Sequence, residues 1–477
     1  MKKRLAVLLL LLLISAVSAA CAKAGPQEKP AADTQPVAVT EELAEAQTET
    51  PFELVLDGIS YSRDASEIRV SSIPAQTLEQ LSQMSALKLV IAVEGDGENL
   101  EQLRQYCDAK GIAFRIEVAG QTVTDEATEL TLPNVTEAQL RLLMLMPNLK
   151  ILYFPEPEAP AELLVQLQQT ASVTWEKTVL GMTFPWDAAE IDLTPVIALE
   201  AGQVMGDKTA YDYGCEEPIM SYPEEFPSSV LVTNEHPLPD KTDLTAQLIA
   251  EAEAAMPYFP NAEKLIMAGA WLDNEAMAQF RENHREDYKA VWSVQCGMLA
   301  TRTDAPRFMP TKFFVTQGSF ADWHTYNLRY CEDMVAIDIG HMSIAELDFV
   351  RYMPNLEYLD VAMNHLVDLE PLASCKNLKF LVMFDQLMEL DYTPLKECTA
   401  LVDLNISKGH GDISPILEMT WLENLWMVGH PEESYQRARA ALPETQIGYY
   451  YSHPDGDWRK LPNYFKMRDA LLMFYMD

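Results

Sequence analysis

A five-fold repeat in the last third of the chain constrains its fold more than any other feature. Its copies follow one another in steps of 22, 22, 23 and 21 residues, and they begin at Met334, Leu356, Leu378, Leu401 and Leu422. Each copy has apolar residues at positions 1, 4 and 6, and the alternation around positions 4 and 6 is the periodicity of a β-strand. Such short strands cannot bury their apolar faces alone. We therefore expect the copies to stack side by side into a parallel sheet over one continuous core.

This pattern resembles the leucine-rich repeat, in the short form found in internalin-like bacterial surface proteins. Asn364 stands at position 9 of the second copy, where that repeat carries asparagine. The later copies depart from it with Gln386, Gly409 and His430, so the asparagine ladder is incomplete. The resemblance implies an α/β solenoid of parallel strands that acts as a binding scaffold.

A longer repeat lies upstream. Gly58, Gly120 and Gly181 are spaced by 62 and 61 residues, and each is followed nine residues later by a strand that begins with glutamate. An alternating strand precedes each glycine, so we expect each glycine at the turn of a β-hairpin. Gly297 marks a degenerate fourth copy. The upstream units are therefore predicted to be the same strand–helix unit with hairpins added.

Helices are expected between the strands. Capping-box patterns begin at Thr77, Thr136 and Ser343, each with Glu or Gln three residues later, and such pairs satisfy the free N–H groups at a helix start. A helix over 431–441 and an aromatic strand after it are expected to close the array, because a solenoid needs an end unit that hides its last core surface. The predicted fold is an α/β, leucine-rich-repeat-like solenoid with parallel strands, interleaved helices, hairpin insertions and a helical, aromatic C-terminal cap.

The first residues form a three-part export signal. Basic residues at 2–4 precede an apolar run over 5–14, which is too short to span roughly 30 Å of hydrocarbon. Small residues then precede Cys21, and this arrangement resembles a lipobox, in which lipid is attached to the cysteine and the chain is cut before it. Ser18 stands where lipoboxes usually carry Leu, so ordinary signal-peptidase cleavage is the alternative. We expect a lipoprotein, anchored through Cys21 on the extracellular face of the cell membrane.

The tail over 458–470 resembles a C-terminal segment of leucine-rich-repeat lipoproteins from anaerobic Firmicutes, which implies a Gram-positive, Firmicutes-type source.

Composition changes divide the chain into segments. The expected segments are a signal peptide (1–20), a lipidated cysteine and flexible tether (21–51), degenerate strand–helix repeats with hairpins and a period of about 61 residues (52–193), an irregular insertion (194–227), further degenerate repeats (228–333), the leucine-rich repeats (334–430) and the C-terminal cap (431–477).

The charge of the chain excludes one class of partner. Asp and Glu number 72 against 35 Lys and Arg, which gives a net charge of -37 at pH 7. A chain this acidic does not bind nucleic acid by neutralising phosphates, and it is repelled by anionic lipid heads. We therefore expect contact with the membrane through the lipid anchor only, and partners that are proteins or glycans at the cell surface.

The face of the repeat sheet that points away from the core is the candidate ligand-binding surface. Side chains at positions 3, 5 and 7 of each copy belong to this face. Exposed aromatic residues on a rigid sheet are typical of recognition surfaces. As alternatives, Tyr358 and Phe380 cover each other or lie under the C-terminal tail. The candidate ligand-binding residues are Tyr358, Asp360, Phe380, Phe384, Asn405 and Trp426.

The chemically reactive residue types indicate structural roles. Cys375 and Cys398 each lie three residues before a position-1 leucine, in a column that Met353 also occupies. A cysteine that shares a column with methionine is expected to be a buried apolar residue, and a Cys375–Cys398 disulfide is the alternative. The sequence has no Cys-x-x-Cys pair and no known catalytic motif. It therefore predicts no catalytic residue, no metal site and no cofactor.

These features together predict a membrane-anchored extracellular scaffold for binding or adhesion, with protein or glycan ligands. One alternative is a structural component of the cell envelope that binds no small ligand. Another is an unrecognised surface hydrolase whose site is supplied by the insertion at 194–227.

Overall fold

The computed structural model describes residues 52–198, 229–231, 238–297, 299–310, 320–449 and 457–471. The predicted signal peptide, Cys21 and the tether lie outside the described residues, and so does all of the predicted insertion except 194–198. Among the helices that the structure describes, none combines the length and the apolar character needed to cross a bilayer.

Parallel strands spaced by about one short repeat already form the first segment of the fold. Glu67 pairs with Leu89, and Leu89 pairs with Ala113 in the next strand. An antiparallel hairpin strand then ends the run. The strands of this segment are β1 (Leu54–Leu56), β2 (Ile59–Tyr61), β3 (Glu67–Val70), β4 (Leu89–Val93), β5 (Ala113–Val118) and β6 (Gln121–Thr124), and its helices are α1 (Thr77–Leu81) and α2 (Leu100–Lys110).

The next two segments repeat this design, with Glu129 and Glu190 in the place of Glu67. The second contains β7 (Glu129–Thr131), α3 (Glu137–Leu143), β8 (Ile151–Pro155), α4 (Ala161–Leu167), β9 (Ser172–Val179) and β10 (Met182–Pro185). The third contains β11 (Glu190–Asp192), α5 (Thr194–Ala198), β12 (Ser229–Leu231), α6 (Thr245–Ala255), β13 (Lys264–Met267), α7 (Asn274–His284), β14 (Lys289–Cys296) and β15 (Leu299–Arg302).

The predicted hairpins are confirmed at Gly58, Gly120 and Gly181, which join β1 to β2, β5 to β6 and β9 to β10. In each turn the glycine and the residue before it both have positive φ, for example 50° at Asp57 and 77° at Gly58. A two-residue turn with this backbone matches the twist of the flanking strands. Gly297, with φ 66°, likewise begins the turn between β14 and β15.

A parallel sheet of seven strands carries the five-fold repeat, one strand per copy and one strand at each end. Residues at position 3 of successive copies pair directly across it, as Tyr358 does with Phe380. Side chains at positions 1, 4 and 6 of all five copies lie in one core, which continues into the third segment. The leucine-rich-repeat-like solenoid is therefore confirmed here. The strands are β16 (Arg307–Phe308), β17 (Ala336–Asp338), β18 (Tyr358–Asp360), β19 (Phe380–Val382), β20 (Asp403–Asn405), β21 (Asn424–Trp426) and β22 (Gln446–Gly448).

The asparagine at position 9 closes the turn that follows its strand. Asn364 is 1% exposed. Its Nδ2 donates to the carbonyls of Ile339 and Val361 at 2.9 and 3.0 Å, and its Oδ1 accepts the N–H of Ile344 at 3.0 Å. These backbone groups lie away from water, so each would be costly to leave without a partner.

Two departures from asparagine at position 9 preserve this bonding. Gln386 Nε2 donates to the carbonyl of Val361 at 2.7 Å, and its Oε1 accepts the N–H of Leu366 at 3.2 Å. His430 Nε2 lies 2.8 Å from the carbonyl of Ile406. Both side chains therefore reach the carbonyl at position 6 of the preceding copy, as Asn364 does. Asparagine is therefore absent at these two positions, but the hydrogen bond to the preceding repeat is still made.

One of the three predicted capping boxes is confirmed. Thr136 and Gln139 bond each other's backbone N–H at the start of α3, at 3.3 and 3.1 Å. Thr77 is instead the first residue inside α1, whose preceding residue makes no side-chain cap. The prediction at Thr77 is therefore wrong.

The capping box predicted at Ser343 is also wrong, because no α-helix begins there. Asp322 Oδ1 accepts the N–H groups of Ala345 and Glu346 at 2.8 and 2.9 Å instead. Most connections in this part of the chain are 3-10 turns, which are short enough to fit repeats of 21 to 23 residues. They cover Tyr326–Tyr330, Asp348–Tyr352, Glu370–Ser374, Thr393–Glu397 and Ile416–Glu418, and the α-helices are α8 (Asp322–Thr325), α9 (Glu432–Ala441) and α10 (Pro462–Ala470).

Helix α9 and strand β22 follow the last repeat. Ala438 of α9 is fully buried, and the ring of Tyr435 stacks on Tyr449 at 4.3 Å between centroids. Thr445 donates its hydroxyl to the carbonyl of Leu422 at 2.7 Å. The helix expected over 431–441 is present, whereas its function as an end cap stays a prediction.

The position-9 bonds predict a large effect from one substitution. We expect Asn364→Ala to lower the free energy of unfolding by about 2–4 kcal/mol, because it leaves several buried backbone groups without partners. Urea denaturation measures the change. Asn377 provides the control, since its Nδ2 donates one bond to the carbonyl of Pro354 from an exposed position, and Asn377→Ala should cost under about 1 kcal/mol. Equal costs for both variants would contradict the proposed importance of the ladder.

Candidate functional site

The side chains predicted to bind ligand lie together on one face of the seven-stranded sheet. We call this face, formed by positions 3, 5 and 7 of the repeats, the concave face. The prediction that these side chains are exposed is wrong. Their exposed fractions are 5% for Tyr358, 1% for Phe380, 3% for Asn405 and 5% for Trp426, and Asp360 and Phe384 are partly buried.

A segment near the C-terminus is the physical reason for the burial of Tyr358 and Phe380. Residues 457–471, here called the C-terminal strap, lie against the concave face. Met467 and Leu471 of the strap are each 1% exposed and join Tyr358 and Phe380 in an apolar cluster separate from the main core. The ring of Tyr464 lies 6.3 Å from that of Phe380. Burial under the C-terminal tail, one of the alternatives open for Tyr358 and Phe380, is therefore what the structure shows.

A polar bond joins the strap to the sheet. Asp403, at position 3 of the fourth copy, is 2% exposed. Its carboxylate accepts Asn424 Nδ2 at 2.7 Å and Asn463 Nδ2 of the strap at 2.8 Å. Burial raises the pKa of Asp403, and the two amide donors partly offset that rise. Asp403 thus links two neighbouring strands and the strap.

A pair of carboxylates lies on the neighbouring part of the face. Asp338 and Asp360 stand directly opposite each other on β17 and β18. A Cβ atom on Gly340 would lie 3.1 Å from Asp360 Oδ1 and 3.4 Å from Asp338 Oδ1. Little room is therefore left for a side chain at position 340 beside the two carboxylates. Burial raises the pKa of Asp338 to about 6. Burial and repulsion from Asp338 raise the pKa of Asp360, and Arg459 of the strap opposes that rise.

Trp426 and Asn405 have local partners. A Cβ atom on Gly448 would lie 2.4 Å from Cδ1 of Trp426, so only glycine lets β22 approach that ring. Asn405 Oδ1 accepts the N–H of Ser407 at 3.0 Å and so closes its own turn. These two residues therefore stabilise the last strands of the sheet, and their ligand-binding role stays a prediction.

Apolar side chains remain exposed along the edge where the strands end. Backbone contacts place successive segments side by side there, since Ala321 bridges to Ser343 and Val367 N–H donates to the carbonyl of Ala345 at 3.1 Å. We call the exposed apolar residues of this edge the edge strip. It comprises Trp323, Met363, Val367, Leu387 and Met388, which are 76, 39, 55, 63 and 48% exposed.

Acidic side chains border the edge strip. Glu346, Asp368 and Glu389 are exposed on three consecutive repeats. None of the three forms an ion pair with another described residue, whereas Asp385 nearby is paired with Lys408 at 3.0 Å. The strip is therefore an apolar surface with a negative border.

The cysteines of the described segments are buried free thiols. Cys398 Sγ donates to the carbonyl of Leu372 at 3.1 Å, and Cys375 Sγ donates to that of Val350 at 3.7 Å. Burial raises their pKa values to about 12 and about 11, which keeps them as unreactive thiols. The alternative of a Cys375–Cys398 disulfide is wrong. Cys215 lies outside the described residues.

A groove lies between α2 and α3 of the upstream segments, with a volume of about 520 Å³. Its arginines are held by neighbouring carboxylates. Arg104 pairs with Asp125 at 2.6 Å and with Asp108 at 3.1 Å, and Arg141 pairs with Glu137 at 2.5 Å. With its cations already compensated, this groove presents no unpaired charge from these arginines to an anionic ligand.

Sequence reasoning missed Asp338 and Asn463. Asp403 stands at position 3, on the predicted face, but is not among the candidate ligand-binding residues. A signal for Asp338 was present, because it stands one repeat before Asp360 in the same column. Nothing in the repeat period pointed to Asn463. It lies 60 residues from the carboxylate it bonds.

Comparisons with known proteins find no matching protein family and no matching curated protein. Solved structures similar to the chain include internalin C2 of Listeria monocytogenes, at 13% identity over 68% of this chain and 91% of that one, with a TM-score of 0.21. A leucine-rich-repeat protein of Leptospira interrogans is 11% identical over 80% of this chain and 93% of that one, with a TM-score of 0.25. The mouse RP105/MD-1 complex is 11% identical over 77% of this chain and 59% of that one, with a TM-score of 0.25. The repeat architecture rests on this chain's own strand register.

The carboxylate pair predicts a pH dependence of stability. The pKa of Asp338 is about 6 in the folded chain and about 4 when unfolded, so the folded state binds the proton more tightly. The free energy of unfolding should therefore fall as pH rises from about 4 to about 6. We expect Asp338→Asn, which keeps the acceptor for the Gly340 N–H, to remove about 1–2 kcal/mol of that fall.

Urea denaturation between pH 4.5 and 7.5 measures this difference between variant and wild type. Glu389→Gln is the control, since Glu389 is exposed and unpaired within the described segments, and it should leave the profile as in the wild type. A profile for Asp338→Asn that parallels the wild type would show that the pair does not titrate as described.

Proposed function

We propose that this protein is a binding scaffold for a protein partner, and that the partner docks on the edge strip. The observation that carries the proposal is a group of exposed apolar side chains at one edge of the repeats. Trp323 lies before the first repeat, Met363 and Val367 lie on the second, and Leu387 and Met388 lie on the third. Contiguous exposed apolar surface of this kind marks interaction sites in soluble domains.

The repeat architecture supports this role because it fixes the spacing of the strip. Each segment of the edge is held to the next by backbone hydrogen bonds and by buried position-9 side chains such as Asn364 and Gln386. A surface whose backbone is already ordered loses little conformational entropy when a partner binds. The exposed side chains are therefore displayed at set distances without a further cost in ordering the chain.

Aliphatic residues in the strip favour a protein partner over a glycan. Val367, Leu387 and Met388 offer apolar area but no hydrogen-bonding group, whereas a glycan is covered with hydroxyl groups that need partners when buried. The acidic border adds a preference for a partner whose apolar residues are flanked by Lys or Arg. Adhesion is a use to which such binding can be put at a cell surface.

The location that we propose is the extracellular face of a Gram-positive, Firmicutes-type cell membrane, with lipid on Cys21. The basic n-region, the short apolar run and the small residues before Cys21 support it. The segment over 22–51, which is rich in Ala, Pro, Gln, Thr and Glu, suits a tether that holds the repeats clear of the membrane.

The edge strip is tested by capture on intact cells. Chemical cross-linking of the wild-type protein identifies the partner, and binding to the purified partner is then measured for Leu387→Ser with Met388→Ser. We expect at least a tenfold loss, about 1.4 kcal/mol, because two of the five apolar side chains of the strip are removed. Ile151→Ser is the matched control, since Ile151 is 58% exposed on an upstream segment. Equal binding by the double variant and the control would refute the placement of the site.

The anchor is tested separately. We expect Cys21→Ala to move the protein from the membrane fraction to the culture medium or the soluble fraction, because one acyl-bearing residue holds it. Cell fractionation followed by immunoblotting measures the shift. Cys215→Ala should stay with the membrane, and a Cys21→Ala protein that also stays there would exclude lipid on Cys21 as the anchor.

A further inference from the structure

We propose that the concave face is a binding groove for a basic protein segment with apolar anchor side chains, and that the C-terminal strap occupies this groove as an intramolecular ligand that such a partner displaces. The proposal concerns a different surface from the edge strip. Either one can fail without the other.

The apolar part of the groove is formed by one aromatic column of the sheet. Tyr358 and Phe380 stand next to each other at position 3 of β18 and β19. Met467 and Leu471, one turn apart on the strap, are buried against this column. Phe465 of the same helix is 38% exposed. The helix of the strap therefore packs with one side in the groove and the other in water.

Charge complementarity gives the second half of the recognition. The strap carries Arg459, Lys460, Lys466 and Arg468 against two acidic residues, in a chain whose net charge is -37. The groove carries the carboxylates of Asp338, Asp360 and Asp403, and Arg459 lies close enough to Asp360 to oppose its pKa rise. A basic helix is thus the kind of segment that this face accepts.

Two neighbouring carboxylates of this face favour a basic segment beside them. Asp338 and Asp360 stand side by side on neighbouring strands, and each accepts a backbone N–H from its own turn, at 3.0 and 2.9 Å. Burying two neighbouring carboxylates is unfavourable when they are ionised. Arg459 of the strap relieves part of this cost at Asp360, and Lys or Arg of a partner segment would do the same. Among the polar contacts of the strap, Asn463 donates a side-chain bond to Asp403 of the sheet.

The experiment uses the full-length protein and a fluorescent synthetic peptide of residues 457–471. In the wild type the tethered strap competes with the peptide at an effective concentration on the order of millimolar. Met467→Asp puts a charge into the apolar cluster and should release the strap. We expect this variant to bind the peptide at least tenfold more tightly than the wild type in fluorescence anisotropy, and to lose amide protection over Pro462–Ala470 in hydrogen exchange.

Phe465→Asp is the matched control, because it makes the same chemical change on the exposed side of the same helix. It should bind the peptide as weakly as the wild type does. Asp403→Ala added to Met467→Asp should weaken peptide binding again by about fivefold, since it removes the acceptor for Asn463.

Three results would overturn the proposal. A Met467→Asp protein that loses strap protection but binds the peptide no better than the Phe465→Asp control would show that the groove does not recognise the segment. Full amide protection of α10 in the Met467→Asp variant would show that the strap is fixed in place and is not displaced. Loss of cooperative unfolding, both in Met467→Asp and in the milder Tyr464→Ser, would make the strap a required part of the fold.

Discussion

Lateral pairing of one short strand per repeat is the interaction on which the rest of this structure depends. Each strand of the seven-stranded sheet is only two or three residues long, so no strand would be stable without the next. Register is therefore shared, and Ala336, Tyr358, Phe380, Asp403 and Asn424 form a single row across the sheet. Everything at the edge and on the concave face takes its spacing from that row.

The repeat period made the core and the sheet predictable. Alternation places positions 4 and 6 on one side of the strand, and position 1 leads into the strand. Because the same apolar pattern recurs in every copy, it indicates which residues are buried together. The glycine hairpins were predictable for a similar local reason, since a two-residue turn with positive φ needs glycine. The position-9 ladder shows the limit of residue identity. Gln386 and His430 break the asparagine pattern and still make the bond to the preceding repeat.

The sequence predicts which face the candidate site lies on, but it does not predict what covers that face. Strand alternation correctly places Tyr358 and Phe380 on the face away from the core, but alternation does not say what covers that face. The cover comes from the strap, whose Tyr464 and Met467 lie after the last strand of the sheet and belong to no repeat. Contacts between segments without a common period leave no trace in a repeat pattern. The helix start predicted at Ser343 fails for a different reason: the carboxylate of Asp322, about one repeat upstream, bonds the N–H groups that follow Ser343.

The distribution of charge connects the two surfaces. A strongly acidic chain places four of its 35 basic residues within the fifteen residues of the strap, and that segment lies on a face with three carboxylates. The exposed edge strip repeats the same chemistry, with apolar side chains bordered by Glu346, Asp368 and Glu389. The strap has the chemistry that suits both surfaces, because it combines apolar anchor side chains with basic residues. Net charge of one sign repels other acidic proteins and attracts basic ones, so the acidity of the whole molecule favours basic partners. The spacing of apolar side chains on the repeats then determines which basic partners fit.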